Sequence, residues 1–182
     1  MFQALANRVV SGIISLSMML LSSYTGNNPS FDSFAIEVNP HDFVFETKIV
    51  SAFDNDFEDF FRSSAIIDVF FTITLEENYD VFYTDTFRHS VKYDPLRREF
   101  RIYLEEREKE VFTDSYEEMV REISTIVYPY REDVPQAFVL TITSNLPTIR
   151  FEGIDKEFDL MMLWKFKQPS LKQTIFVKDY EA

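Results

Sequence analysis

The chain has no cysteine among its 182 residues. Disulfides and thiolate metal sites are therefore excluded, and in an oxidising compartment packing alone has to hold the fold. Glycine is almost as scarce, with three: Gly12, Gly26 and Gly153. That rules out a glycine-rich phosphate loop and the strand–Gly-x-Ser-x-Gly–helix elbow of serine hydrolases. Tight primed hairpin turns need positive φ, so most connections are expected to be longer and carried by Asn, Asp and Pro. Only two histidines, His41 and His89, are on hand as bases. The last absence is local: residues 1–31 hold no Asp or Glu, and all thirty-one acids follow them.

What the acid-free head does contain is an apolar run at 9–21, behind the single cation Arg8. A cationic start, an apolar core of roughly 7–15 residues and small residues at the cut make a secretory signal. Ser22, Ser23, Thr25 and Gly26 supply the small residues. A spanning helix wants about 20 apolar residues, which here means counting Asn7, Arg8 and four serines. A cleaved signal ranks ahead of a retained anchor, and both stay open. With no cysteine after the core, a lipid anchor on an N-terminal cysteine is excluded. The expected organisation is a signal peptide or membrane tether at 1–25, a polar linker at 26–33 and one antiparallel β-rich domain at 34–180.

Arg8 is the only cation in the head, so 17 of the 18 Lys and Arg face all 31 acids beyond it, a net charge of 17 − 31 = −14. Such a body repels phosphate backbones, whose binding relies on Lys and Arg displacing counterions, so nucleic acid is excluded as a partner. The same charge argues against an anionic membrane surface as the partner.

Period-two alternation places Ile67, Val69, Phe71, Ile73 and Leu75 on one face of a strand. A second strand carries Val81, Tyr83, Phe87, His89, Val91 and Tyr93 inward, with Asp85 as a polar interruption. Asp94-Pro95-Leu96-Arg97 is a turn with Pro at its second position, and Phe100, Ile102 and Leu104 form a third strand. Before this meander, 34–38 and 43–50 read as an opening hairpin. Ser51, with Asp54 as its box partner, is expected to cap a short helix bearing Phe53, Phe57, Phe60 and Phe61. A second helix opens at Ser115 with Glu118; Tyr116, Met119, Val120, Ile123 and Val127 are its stripe and Pro129 its stop. The tail returns to strands at 138–143, 158–166 and 171–177. Helices that do not alternate with strands indicate an α+β class, mainly antiparallel β: a β-sandwich or curved meander with two short helices packed on it.

Little chemistry stands out. Asp85 and His89, four apart on one strand, share a face and form the best acid–base pair, but one pairing does not make a site. Asp54-Asn55-Asp56-Phe57-Glu58 starts like a calcium loop and then lacks its Gly and final Glu. The mixed run at 105–110 reads as a solvated loop at a strand end. No catalytic, cofactor-binding or metal residue is assigned. Phe70 and Phe82, on the outward phase of their strands, and Lys165, Lys167, Lys172 and Lys178, the cations of the tail, are the candidate interaction surface. Alternating Lys is also a guard against edge-to-edge strand pairing. Twenty Phe and nine Tyr serve equally a filled β core and a cavity for a hydrophobic ligand.

The order of landmarks resembles the bacterial domain-of-unknown-function 4390 family. The likeness is carried by the export-like head, the apolar helix at 53–61 before the strand at 66–75, and Val91-Lys92-Tyr93-Asp94-Pro95-Leu96 returning through Arg101-Ile102-Tyr103. Phe112-Thr113-Asp114-Ser115-Tyr116-Glu117-Glu118 then leads into a helix, and Asn145-Leu146-Pro147 precedes a strand around Trp164. Family members tend to show a glycine turn where this chain has Ser63-Ser64. The resemblance implies an envelope-associated protein and transfers no catalytic residue. The expected function is a non-catalytic extracytoplasmic, periplasmic interaction domain with another envelope protein as partner. The alternative is a carrier of a hydrophobic ligand in a Phe-rich cavity.

Overall fold

The structure is a computed structural model and describes residues 26–54, 57–63, 65–150 and 157–177. The expected leader and Lys178 lie outside the described residues. Two antiparallel sheets carry the fold. The larger has six strands in the order β11-β8-β3-β4-β5-β6: β3 (Ile67–Glu77), β4 (Asp80–Asp94), β5 (Glu99–Leu104), β6 (Lys109–Thr113), β8 (Ala137–Asn145) and β11 (Ser170–Phe176). The smaller has the order β1-β2-β7, from β1 (Ser30–Asn39), β2 (Asp42–Val50) and β7 (Thr125–Tyr130). A short hairpin of β9 (Thr148–Arg150) and β10 (Glu157–Asp159) stands apart. The α+β, mainly antiparallel class is as the alternation indicates, and β3 to β5 form the expected meander.

The inner faces of the two sheets meet through aromatic rings. Phe43 of β2 stacks on Phe138 of β8 at 5.5 Å, Tyr128 of β7 on Phe87 of β4 at 5.4 Å, and Tyr130 meets Tyr83 edge-on at 4.9 Å. Beneath them Ile67, Val69, Phe71, Ile73 and Leu75 are all fully buried. Burial of each such side chain contributes about 1.5–3 kcal/mol, so a one-residue slip that turned all five to water would be prohibitive. Helix α1 (Phe57–Phe61) and α2 (Tyr116–Ser124) close the rest of the inner face, Met119 and Ile123 of α2 being buried. Ser115 caps α2 as its sequence suggests, its Oγ accepting from the Glu118 N–H at 3.2 Å.

Several boundaries differ from expectation, each for a physical reason. Ser51 is not a helix cap: it sits at φ 53, and α1 begins only at Phe57, with Phe53 packed edge-on against Phe57 and Phe61. Helix α2 stops at Ser124, and the β-branched run Thr125-Ile126-Val127 continues as β7, burying Ile126, Tyr128 and Tyr130 in alternation. Pro129 lies within that strand, opposite Val44, because β7 is an edge strand where a missing N–H is tolerated. The expected strand at 158–166 is the short β10 followed by a 3-10 turn, Leu160–Trp164, capped by Asp159. Leu160, Leu163 and Trp164 are its buried residues, a helical rather than alternating spacing.

Residues 26–33 are not a linker. Asn27 is buried, its N–H bonded to the Leu163 carbonyl and its side-chain amide to the carbonyls of Ala52 and Asp54. Trp164 donates to that same Ala52 carbonyl at 2.8 Å, so the start of the described chain is stitched to the 3-10 turn. Nor does the shortage of glycine lengthen the β3–β4 turn. Asn78 and Tyr79 take positive φ themselves, 52° and 74°, and close it in two residues.

Candidate functional site

Asp85 and His89 do share the inner face of β4, yet each has its own partners. His89 is fully buried at the centre of the sheet, its ring 4.8 Å from that of Phe71. Its Nδ1 lies 2.8 Å from the carbonyl of Ile123, in the last turn of α2. A carbonyl only accepts, so Nδ1 carries a hydrogen. The other nitrogen, Nε2, lies 2.9 Å from Glu106 Oε2, and the side chains of His89 and Glu106 are both 0% exposed.

Glu106 comes from the 3-10 turn Glu105–Arg107 that joins β5 to β6. Burial alone would raise its carboxyl above the ordinary range. The hydrogen bond and charge of His89, with the charge of Arg107, outweigh that and hold it below. Facing that carboxylate at hydrogen-bond distance, the ring stands at the C-terminal end of α2, where the helix dipole favours positive charge. Arg107 completes the cluster: its Nε donates to Glu106 Oε1 at 3.0 Å and its Nη2 to the Thr125 carbonyl at 3.1 Å. The cluster thus ties the β5–β6 turn to the junction of α2 and β7.

Sequence reasoning placed Glu106 in a solvated charge run, and the structure corrects that. A signal for it was present. Phe100, Ile102 and Leu104 are the inward phase of β5, and the next position in that phase is 106. His89 pairs with Leu104 in register, which brings Glu106 within its reach.

Asp85 belongs to a second chain of hydrogen bonds. The Tyr128 hydroxyl donates to Asp85 Oδ2 at 2.6 Å, leaving its oxygen to accept from Tyr83, also at 2.6 Å. Burial, then Asp85 and Tyr83, push the Tyr128 hydroxyl far above its usual value. Phe87 stands between the two polar clusters, stacked on Tyr128 and tilted against His89. Each carboxylate therefore has a resident donor, and Asp85 and His89 are divided between two structural networks. His41 is elsewhere, in the exposed β1–β2 turn, 2.6 Å from Asp133. Among the described residues no group of three or more His, Asp or Glu is placed to hold a metal ion.

The expected interaction residues do not form one patch. Phe70 keeps its outward phase on β3, half-buried between Arg88 of β4 and Asn145 of β8. Phe82 does not. A bulge pairs Leu75 with Tyr83 and Glu76 with Val81, leaving Phe82 as the extra residue. Phe82, 40% exposed, leans edge-on against Phe138, and Val81, expected inward, is turned to solvent. Lys172 lies on the edge strand β11 with its Nζ 3.4 Å from Glu76. Lys165 and Lys167 sit apart from it, in the turn that follows Trp164.

No helix among the described residues is long and apolar enough to cross a membrane. Comparison with protein-family models, with curated proteins and with solved structures finds no match to this chain.

Proposed function

We propose that this domain is a non-catalytic interaction module that works outside the cytosol, secreted or held at the outer face of the inner membrane by residues 9–21, and meets another protein of the envelope. The observation that carries the reading is how the strong polar groups are used. His89, Glu106, Arg107, Asp85, Tyr83 and Tyr128 are all committed to one another or to backbone carbonyls. Apolar side chains are meanwhile left in solvent: Val81, Phe112 and Phe176 stand on strands of the large sheet, more than half exposed. The resemblance of the landmark order to the domain-of-unknown-function 4390 family is consistent with the same reading.

A carrier of a hydrophobic ligand is the second reading, and it ranks lower. Its cavity would have to open between rings that already stack on one another, such as Phe43 with Phe138 and Phe45 with Tyr128. Site-specific photo-crosslinking in the protein's own cells tests the first reading. A cross-linker at Phe112 or Val81 should give a discrete adduct with an exported protein, and one at buried Ile73 should give none. A cytosolic chain that forms no adduct from either outward position would refute it. Lipid retained in native mass spectra would promote the second.

A further inference from the structure

The 3-10 turn Leu160–Trp164 ends in two consecutive residues at positive φ, Lys165 (52°) and Phe166 (57°), followed by Lys167. All three side chains are exposed, and Phe166 is 66% exposed. Left-handed backbone at a bulky residue is uncommon and strained, so the surroundings must hold it. They do. The N–H groups of Lys165, Phe166 and Lys167 bond to the carbonyls of Met162, Met161 and Trp164 at 2.8–2.9 Å, and Trp164 beneath is fully buried. A lone aromatic ring is thus held out of the body on a rigid base, with a lysine on either side.

This corner lies beside the first described residues. Gly26 packs so closely on Lys165 that a Cβ there would stand 2.6 Å from the Lys165 Cε, and Lys167 Nζ bonds to Asn28 Oδ1. The apolar run ends at residue 21, five residues earlier. Five residues span at most about 17 Å, and the headgroup layer on each side of a bilayer is several Å deep. A chain held by 9–21 therefore cannot carry the corner far from the membrane surface.

We propose that the Lys165-Phe166-Lys167 corner is a membrane-surface contact, with the Phe166 ring entering the headgroup boundary and the two lysines meeting anionic phospholipid. The inference rests on the tethered, extracytoplasmic reading above. The chemistry matches that of interfacial anchors, in which an apolar side chain is buried and flanking cations meet lipid phosphates. The acidic remainder of the domain, repelled by the same surface, makes the contact orienting: the corner faces the bilayer and the β3–β4 turn at Asn78–Tyr79 faces away. From the row of Thr72, beside Ser170 across β8, that turn is six residues further along β3, about 20 Å away.

The absence of cysteine makes a clean test. A single Gln168→Cys in the full chain is labelled with a polarity-sensitive fluorophore, and Tyr79→Cys serves as the distal control. Each is reconstituted into phosphatidylcholine vesicles with and without phosphatidylglycerol. Emission at 168 should shift to the blue on vesicles, more with phosphatidylglycerol, while the label at 79 stays aqueous. In a K165N/F166N/K167Q background the shift at 168 should be lost while flotation persists. Asn tolerates the left-handed backbone, and Trp164 emission checks the fold. A chain that floats with no shift at 168, or with the larger shift at 79, overturns the corner alone. A chain that does not float overturns the tether and the corner together.

Discussion

Removing Glu106 is the sharpest single perturbation of this fold. In Glu106→Ala the His89 ring keeps its bond to the Ile123 carbonyl and loses its carboxylate partner at Nε2, at a place where both side chains are 0% exposed in the wild type. Breaking a buried ion pair from one side costs about 3–5 kcal/mol. The loss of Arg107's anion adds less, because Arg107 is partly exposed and keeps the Thr125 carbonyl. Replacing both residues in His89→Leu/Glu106→Leu leaves Arg107 as it is in the single variant and the Ile123 carbonyl short of a donor, about 1–3 kcal/mol, so the double variant should be more stable than Glu106→Ala. Urea unfolding followed by the single, buried Trp164 reads this directly. With a slope of about 1–3 kcal/mol per M, the midpoint of Glu106→Ala should fall by a molar unit or more. The pH dependence gives a second reading. The folded carboxyl of Glu106 lies below its ordinary value of 4.5, so the unfolded chain binds its proton first as pH falls. The stabilisation is then complete above the unfolded value and is lost as pH drops through the lower, folded one. Wild type should lose stability below pH 4.5 more steeply than Glu106→Gln. A loss under 1 kcal/mol in Glu106→Ala, or parallel acid limbs, would refute the buried ion pair.

Tyr128→Phe removes the hydroxyl that serves Asp85, and a hydrogen bond to a charged group is worth about 1.5–3 kcal/mol; urea unfolding should show a loss of that size. In an alkaline spectrophotometric titration Tyr128 should remain protonated beyond pH 10, since burial and Asp85 push its hydroxyl upward, and a Tyr128→Phe variant should leave the ordinary titration step intact. Tyr79, 98% exposed at φ 74°, makes little contact to lose. Tyr79→Gly should therefore raise thermal stability, by about 1 kcal/mol from relieved left-handed strain. Phe82→Ala should cost more than Val81→Thr, which should stay within about 0.5 kcal/mol as exposed substitutions do; the reverse order would place the bulge elsewhere.

The parts of the fold legible in the sequence are those in which one period dominates. Five fully buried apolar residues in strict alternation fix β3 and its face, and the Asp94-Pro95 turn is realised with the Asp94 carboxylate accepting from the Leu96 and Arg97 N–H groups. Where the period changes within a few residues, reading fails. Met119 and Ile123 are helical, Ile126, Tyr128 and Tyr130 alternate, and only two residues, Ser124 and Thr125, separate the two patterns. The extension of the stripe to Val127 came from there. The bulge at Leu75/Glu76 is a similar case, since one unpaired residue exchanges the faces of Val81 and Phe82 without any local mark in composition.

The candidate site was hidden for a different reason. Glu106 was assigned to water because it is charged and has charged neighbours, a statement about how its side chain behaves in isolation. Its backbone position says the opposite, since the 3-10 turn that starts directly after inward Leu104 sets residue 106 against His89. When the two conflict, the backbone is the stronger constraint. Turning 106 outward would disturb the turn closed by the Glu108 N–H on the Glu105 carbonyl, and with it the pairing of Lys109 opposite Leu104. Keeping it inward requires a hydrogen-bond partner within reach, and β4 supplies the His89 ring from 17 positions away while α2 holds that ring from its far side. A charge that lies on an inward phase is therefore a claim about a partner elsewhere in the chain. Here the claim points to one of only two histidines, the one that the register of β4 on β5 brings within reach.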